Sequence, residues 1–301
     1  MDLPYCLLCN RDKIRPWFVR NTGTAYYPIV RCDSCKSAYV WPRPEGNKVE
    51  DLYADGAYNP NHNSQGLYWP SGSEDAARLF KSFGRFIKGE VLLDIGAGAG
   101  VAAEEAIRRG LAVRACEPSP QCRKEFFERN GFEPEPNFFN SEYAQNNRNG
   151  VDAVLLSHVL EHLPDPEQVL YNISLVLRPG GVVIISVPLF GSVLTAVMGK
   201  RDFFITPPEH LTYFSYVGLG ELLKRNGYLI ESMYTSSKVN MLRYRKRLGP
   251  ACYALNLAAY AALKVSELAN RSIVLNVCAR RVEQESHYRT LPKVDHRELF
   301  A

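Results

Sequence analysis

The chain has 301 residues, 46% of them apolar and 23% charged. These values sit near the globular averages of about 45–50% and about 25%, and with the length they exclude a disulfide-stapled miniprotein, a fibrous repeat and wholesale disorder, leaving room for about two domains of roughly 150 residues. The net charge of +4 is too small to mark a phosphate-binding surface by itself, so a nucleic-acid partner has to be argued from local clusters.

Met1 to Cys6 show neither a basic opening nor an apolar h-region, so no secretory signal is expected and a cytoplasmic location is. The densest apolar stretches, Val182–Phe190 and Ala254–Leu263, fall short of the roughly 18 residues that a membrane span requires.

Of the eight cysteines, four form two CxxC pairs, Cys6/Cys9 and Cys32/Cys35, separated by 22 residues. This is slightly longer than the usual ribbon spacing of about 15–20. Between them, Trp17–Val19 and Tyr26–Val30 are β-prone runs around the turn signal Asn21-Thr22-Gly23, which folds one knuckle onto the other. Four thiolates with no open position fit a structural Zn²⁺, whose binding supplies folding energy that so few apolar residues do not. Residues 1–45 are thus expected to form a zinc-ribbon module that unfolds by itself on metal removal. Residues 46–87 read as a linker and N-terminal helix, and Tyr53, Tyr58 and Tyr68 within it suggest a lid over a site.

From Glu90 onward strand-like and helix-like patterns alternate, the mark of a parallel sheet covered by helices. Val91–Ile95 is a short apolar strand that enters Gly96-Ala97-Gly98-Ala99-Gly100 and then a helical stretch from Val101 to Arg109. Glycines allow a tight turn and close approach of backbone to a ligand, and the helix start offers free N–H groups to an anion. The next strand, Leu111–Cys116, ends in Glu117, 21 residues past Gly96, near the spacing of an acid that grips ribose hydroxyls. A dinucleotide fingerprint places a small residue at position 101, where this chain has Val101, a side chain that crowds helix against strand.

The run Leu93–Gly100 resembles the first motif of class I S-adenosylmethionine (SAM)-dependent methyltransferases. The resemblance continues through Ser157–Leu163, Leu177–Gly181 and Pro208–Ser215 and covers about residues 88–282. It is similar to the subgroup of quinone-biosynthesis O-methyltransferases and of small-molecule and sugar methyltransferases. It implies an α/β Rossmann-like methyltransferase domain of seven strands, the last antiparallel and inserted beside the others, behind the small N-terminal zinc ribbon. It also implies that Gly96, Gly98 and Gly100 lie under the methionine part of SAM, that Asp94 supports that loop and that Glu117 holds the ribose.

Read directly, Val151–Leu156 is an apolar strand that delivers Ser157 and His158 to the carboxyl edge of the sheet, where open α/β folds bind ligands. Asp165-Pro166-Glu167-Gln168 reads as an N-cap, a first-turn proline and a capping-box glutamine. Strands are expected at Val182–Val187, Tyr228–Thr235 and Ser272–Arg280, with a helix over Tyr216–Asn226. Methyl transfer needs the acceptor atom roughly 3–3.5 Å from the methyl carbon and in line with it. An aliphatic hydroxyl must also lose its proton, for which His158 and His210 are the candidate bases. Each has a structural reading as well, His158 as a residue lining the cofactor pocket and His210 as a hydrogen-bonded histidine under a loop; for His162 the structural reading leads.

Arg243–Arg247 is a basic run ahead of the nearly apolar 251–269. It reads as a buried or dimer-forming helix with a solvated flank, or as peripheral membrane contact through 243–269, suited to a lipid-linked acceptor. Residues 283–301 read as a polar tail. The leading expectation is methyl transfer to a small-molecule or glycan acceptor. RNA methylation through the zinc ribbon is the runner-up, disfavoured by the ribbon's modest charge, and a non-enzymatic zinc-ribbon binding protein is the third reading. The oligomeric state is left open.

Overall fold

The computed structural model describes residues 5–44, 72–237, 261 and 264–282. Its centre is a six-stranded sheet in which β4 (Val91–Ile95), β5 (Ala112–Cys116), β6 (Val151–Ser157) and β7 (Leu177–Pro188) run parallel. The spatial order is β5-β4-β6-β7-β10-β9, with β10 (Val274–Arg281) antiparallel to both β7 and β9 (Tyr228–Ser236). The last strand is therefore inserted, as the resemblance implied.

Among the described residues, a seventh position exists only as a single bridge beside β5. Glu135 donates its N–H to Ala115 and accepts from Glu117. Pro134 and Pro136 flank it; their missing N–H groups would face away from β5, so they leave the outer edge of this position without donors for a further strand.

Helices cover both faces because successive strand side chains point oppositely. Ala153 and Leu155 of β6 pack with Leu79, Phe80 and Phe83 of α1 (Ser73–Phe83) and Ala106 of α2 (Val101–Arg108). Val154 and Leu156 pack with Leu170 and Ile173 of α5 (Pro166–Val176) and Leu219 and Leu222 of α7 (Tyr216–Arg225). The remaining helices are α3 (Pro120–Asn130), α4 (Ser141–Asn146) and α6 (Val193–Met198). At the start of α5 the Asp165 carboxylate accepts from Gln168 N, as a cap does. The expected reciprocal bond is missing, because the Gln168 amide turns to Asn172 instead.

The N-terminal segment builds an antiparallel sheet from β1 (Ile14–Asn21), β2 (Tyr26–Cys32) and β3 (Ala38–Val40). Its fourth strand comes from elsewhere: β8 (Thr212–Tyr213) pairs with β3. The contact extends further. The Ser37 hydroxyl donates to the Ser215 hydroxyl (2.9 Å), Ser215 donates to the Cys35 carbonyl, and Arg225 donates to the Leu8 carbonyl (3.1 Å). The four paired cysteines share one apolar core with α5 and α7, so position 45 is a boundary in sequence but not in packing.

Candidate active site

The glycine loop leaves β4 at the carboxyl edge of the sheet. Gly96, Gly98 and Gly100 have φ of +65°, +54° and +75°, values that side chains with a Cβ adopt at a cost. The loop is tied to β5: Gly96 and Ala97 both donate to the Cys116 carbonyl, at 2.8 and 3.2 Å. At Gly100 an added Cβ would fall 2.1 Å from Asn130 Nδ2 and 2.7 Å from Phe126 Cδ2, whereas at Gly98 it would meet nothing within 4 Å. Gly100 is thus glycine because helix packs on helix there, and Gly98 because the backbone borders open space.

Glu117 lies under this loop. Its carboxylate accepts from Gly98 N (2.7 Å) and Ser119 N (2.8 Å); each oxygen keeps a further lone pair for a ligand hydroxyl. Asp94, behind it, is buried, with Oδ2 making no hydrogen bond. Burial, and then the charge of Glu117, push the Asp94 carboxyl up to about 8, and burial also raises Glu117. The open cradle at Gly98, the free carboxylate lone pairs of Glu117 and the start of α2 fit an adenosyl-sulfonium ligand with a hydroxylated ribose and a carboxylate.

Ser157 ends β6, and His158 follows with φ +59°, its N–H held by the Ser186 carbonyl at 2.8 Å. A left-handed histidine is uncommon, and such conformations concentrate at functional sites. The turn abuts the glycine loop, since a Cβ at Gly96 would come 2.7 Å from Val159 Cγ2.

Beneath this turn sits a cluster built on Glu161. His158 Nδ1 lies 3.3 Å and His162 Nε2 4.0 Å from Glu161 Oε1, and the His162 and His210 rings meet edge to face at 4.8 Å. Carbonyl oxygens only accept, so His162 Nδ1 donates to Glu209 O and His210 Nδ1 to Phe204 O, each at 2.7 Å. That fixes the tautomers and leaves Nε2 of each neutral ring as an acceptor. Burial alone would raise Glu161; the hydrogen bond from His158 and the charges of His162, His158 and His210 instead hold it down to about 2. Burial lowers both His162 and His210, against the pull of Glu161. Carboxylate and imidazoles thus titrate as one coupled cluster, in which the charge of one favours the opposite charge on the other. Ligand atoms of Glu161, His162 and His210 all lie within 4.8 Å of one another, close enough to share a proton or a single cation.

His210 also borders a shallow recess with Phe190, Phe204, Thr212 and Tyr213, between the carboxyl end of β7 and the N-terminal sheet. Sequence reasoning named His158 and His210 and missed Glu161 as the group that joins them. The available signal was the His158-x-x-Glu161 spacing, which places both side chains on one turn.

The four cysteines converge as expected. Cys6 and Cys35 sulfurs are 3.8 Å apart, Cys9 and Cys32 sulfurs 3.7 Å, and all four lie within 4.8 Å of one another. A tetrahedron with Zn–S of about 2.3 Å has edges of about 3.8 Å, so the donor set fits one zinc ion. The proposed lid tyrosines, the basic run 243–247, most of 251–269 and the tail 283–301 lie outside the described residues. Among the described residues no helix is long and apolar enough to cross a membrane.

The profile of a family described as methyltransferase domain matches residues 68–232. The ubiquinone biosynthesis O-methyltransferase of Aeromonas salmonicida is 36% identical over 110 residues, which is 35% of this chain and 45% of that protein. Its Vibrio atlanticus counterpart is 28% identical over 228 residues, 71% of this chain and 92% of that one. Among solved structures, the Haemonchus contortus phosphoethanolamine N-methyltransferase 2 in complex with SAM superposes with a TM-score of 0.54 at 17% identity, covering 89% of this chain and 71% of that one. A SAM-dependent methyltransferase from Archaeoglobus fulgidus gives 0.51 at 16%, covering 71% and 96%. With more than half of its length matched and the glycine cradle in place, the chain belongs to the methyltransferase domain family and is a SAM-dependent methyltransferase.

Proposed function

We propose that the protein methylates a hydroxyl of a small-molecule acceptor bound in the recess beside His210, and that the four cysteines hold a structural zinc ion. The observation that carries the proposal is the His210 ring: it lines the recess, and its Nδ1–H is committed to Phe204 O, which leaves Nε2 as the nitrogen able to accept a proton. Oxygen as the accepting atom is supported by the O-methyltransferase names of the relatives.

Bound SAM supplies an electrophilic methyl group. Gly98 and Glu117 hold it, the first by leaving room for it and the second through lone pairs free for its ribose hydroxyls. His210 Nε2 takes the proton that the acceptor hydroxyl loses on attack. Glu161, held ionised, then faces the resulting imidazolium and stabilises its charge, as a buried carboxylate does for a neighbouring cation. His158 and His162 position that carboxylate from either side. The N-terminal sheet forms the outer wall of the recess, so the zinc site acts on acceptor binding by holding that wall in place.

A glycan or lipid-linked acceptor belongs to the same proposal, as does membrane contact through 243–269. The test is transfer of a labelled methyl group from SAM into fractionated cell extract, with and without ribonuclease. Ribonuclease-resistant label in a base-stable small molecule supports the reading, and label lost with ribonuclease replaces it by RNA methylation.

A further inference from the structure

The N-terminal sheet turns one face toward the catalytic domain, and that face carries unpaired cations around an aromatic centre. In the register of β1 and β2, Phe18 stands opposite Ile29, Arg20 opposite Tyr27 and Arg15 opposite Arg31. Cross-strand partners share a face, so Arg15, Phe18, Arg20 and Arg31 lie on the side whose Ile29 packs with Phe190, Ile205 and Tyr213.

Of these cations, Arg15 has an acid: its Nε pairs with Asp33. Arg20 and Arg31 have none within 4.0 Å among the described residues. The Arg20 guanidinium lies 5.2 Å over the Phe18 ring, with Lys200 Nζ 5.6 Å from the same ring, and the Arg31 guanidinium lies 5.8 Å over Phe190. Arg20 donates to the Lys200 carbonyl at 2.6 Å. The Nε–H groups of both arginines are nevertheless buried and donate to nothing. Asp202, which also lines the recess, turns its carboxylate to other donors: its Oδ2 accepts from Thr195 Oγ1 (2.6 Å) and its Oδ1 from Phe204 N (3.0 Å).

Ring contacts account for the flat faces of these guanidinium groups, and their stems cover apolar surface. Neither accounts for buried N–H groups without acceptors, nor for three cations of which none, among the described residues, has a carboxylate within 4.0 Å; both cost free energy. Phe190 belongs to both this cation cluster and the recess that His210 borders. We propose that Arg20 and Arg31 form an anion subsite for the methyl acceptor, taking a phosphate or carboxylate group while the adjoining rings of Phe18 and Phe190 cover its apolar body. The guanidinium fork is suited to either oxyanion, since both present paired oxygens to parallel N–H groups. This rests on the acceptor lying in the recess, as proposed above.

The test uses the zinc-loaded full chain, titrated with phenyl phosphate and separately with benzoate, each with and without S-adenosylhomocysteine, by calorimetry and by tryptophan fluorescence. Trp17 stacks edge to face on Phe18 (4.7 Å) and Phe190 (5.4 Å), so filling of the subsite alters its emission. The expected result is saturable binding of at least one anion, with phenol far weaker. Arg31→Gln and Arg20→Gln each lose at least about tenfold in anion affinity, as removal of a charged hydrogen-bond donor predicts. Arg31→Lys keeps more of it, and all variants keep their zinc content and their affinity for S-adenosylhomocysteine. The arm that binds distinguishes a phosphate from a carboxylate acceptor. Absence of saturable binding of either anion, or wild-type anion affinity in Arg31→Gln and Arg20→Gln, overturns the subsite. Failure of S-adenosylhomocysteine to bind would count against methyl transfer instead, and the anion titrations run without it would still decide the subsite.

Discussion

Gly98→Ala and Gly100→Ala add the same methyl group two residues apart, and the structure predicts opposite consequences. Both positions have positive φ, +54° and +75°, so each alanine carries strain of roughly 1–2 kcal/mol. At Gly98 that is the whole folding cost, since nothing lies within 4 Å of the new Cβ. At Gly100 the Cβ would sit 2.1 Å from Asn130 Nδ2 and 2.7 Å from Phe126 Cδ2. Overpacking of that kind adds about 1–3 kcal/mol. At roughly 2–4 °C per kcal/mol for a chain of this size, Gly98→Ala melts about 2–8 °C below wild type, and Gly100→Ala falls further. Cofactor affinity separates them in the other direction, because the Gly98 methyl occupies the space the ligand needs. Calorimetric titration with S-adenosylhomocysteine is expected to show a loss of at least about tenfold in Gly98→Ala, equivalent to ~1.4 kcal/mol. Folded Gly100→Ala keeps most of its affinity. Wild-type binding by Gly98→Ala would refute the placement of the ligand against that loop.

Three further outcomes follow from the site. The Asp94 carboxyl is raised to about 8 by burial and by Glu117, so the folded protein binds a proton there that the unfolded chain releases near pH 4. Its contribution is present in full below about pH 4 and is lost as pH rises through about 8. Asp94→Asn should therefore gain stability relative to wild type between those limits, and a pH-independent difference in denaturant midpoint would contradict the burial argument. His210→Gln should lower turnover by about 10²–10⁴-fold, the usual worth of a general base, with unchanged S-adenosylhomocysteine affinity; undiminished turnover would move the base elsewhere. Chelation, or Cys32→Ser, should release one zinc per chain and reduce hydrogen-exchange protection at 212–225 as well as at 5–44, because β8 and Ser215 are bound to the module. Protection of 212–225 that survives metal loss would show that the shared strand does not couple the two.

Much of the central domain was legible in the sequence because its signals are local. Apolar runs such as Val151–Leu156 are buried on both faces, the three glycines punctuate a strand and a helix, and Asp165-Pro166 caps α5 through a bond three residues long. The CxxC pairs were equally readable, since thiolates at that spacing have few other uses. Local signals also overreached: Gln168 reached Asn172 rather than its cap.

What the sequence by itself determined, then, is the elements of the central domain and the glycine turn between β4 and α2, whose form follows from immediate neighbours. Tertiary structure alone decided how the cysteine module docks and what the histidines face. Ala38 and Tyr213 pair across 175 positions of chain, and Tyr39 and Thr212 across 173; no periodicity encodes that such distant two- and three-residue strands will pair.

 The register itself is Ala38 with Tyr213 and Tyr39 with Thr212, and it is set by burial of Ile29, Phe190 and Tyr213 between the two sheets. The same packing carries His210 to Glu161 and buries the Nε–H groups of Arg20 and Arg31 without an acceptor. Apolar burial and charge interaction depend on separation in space, so only the folded chain specifies them.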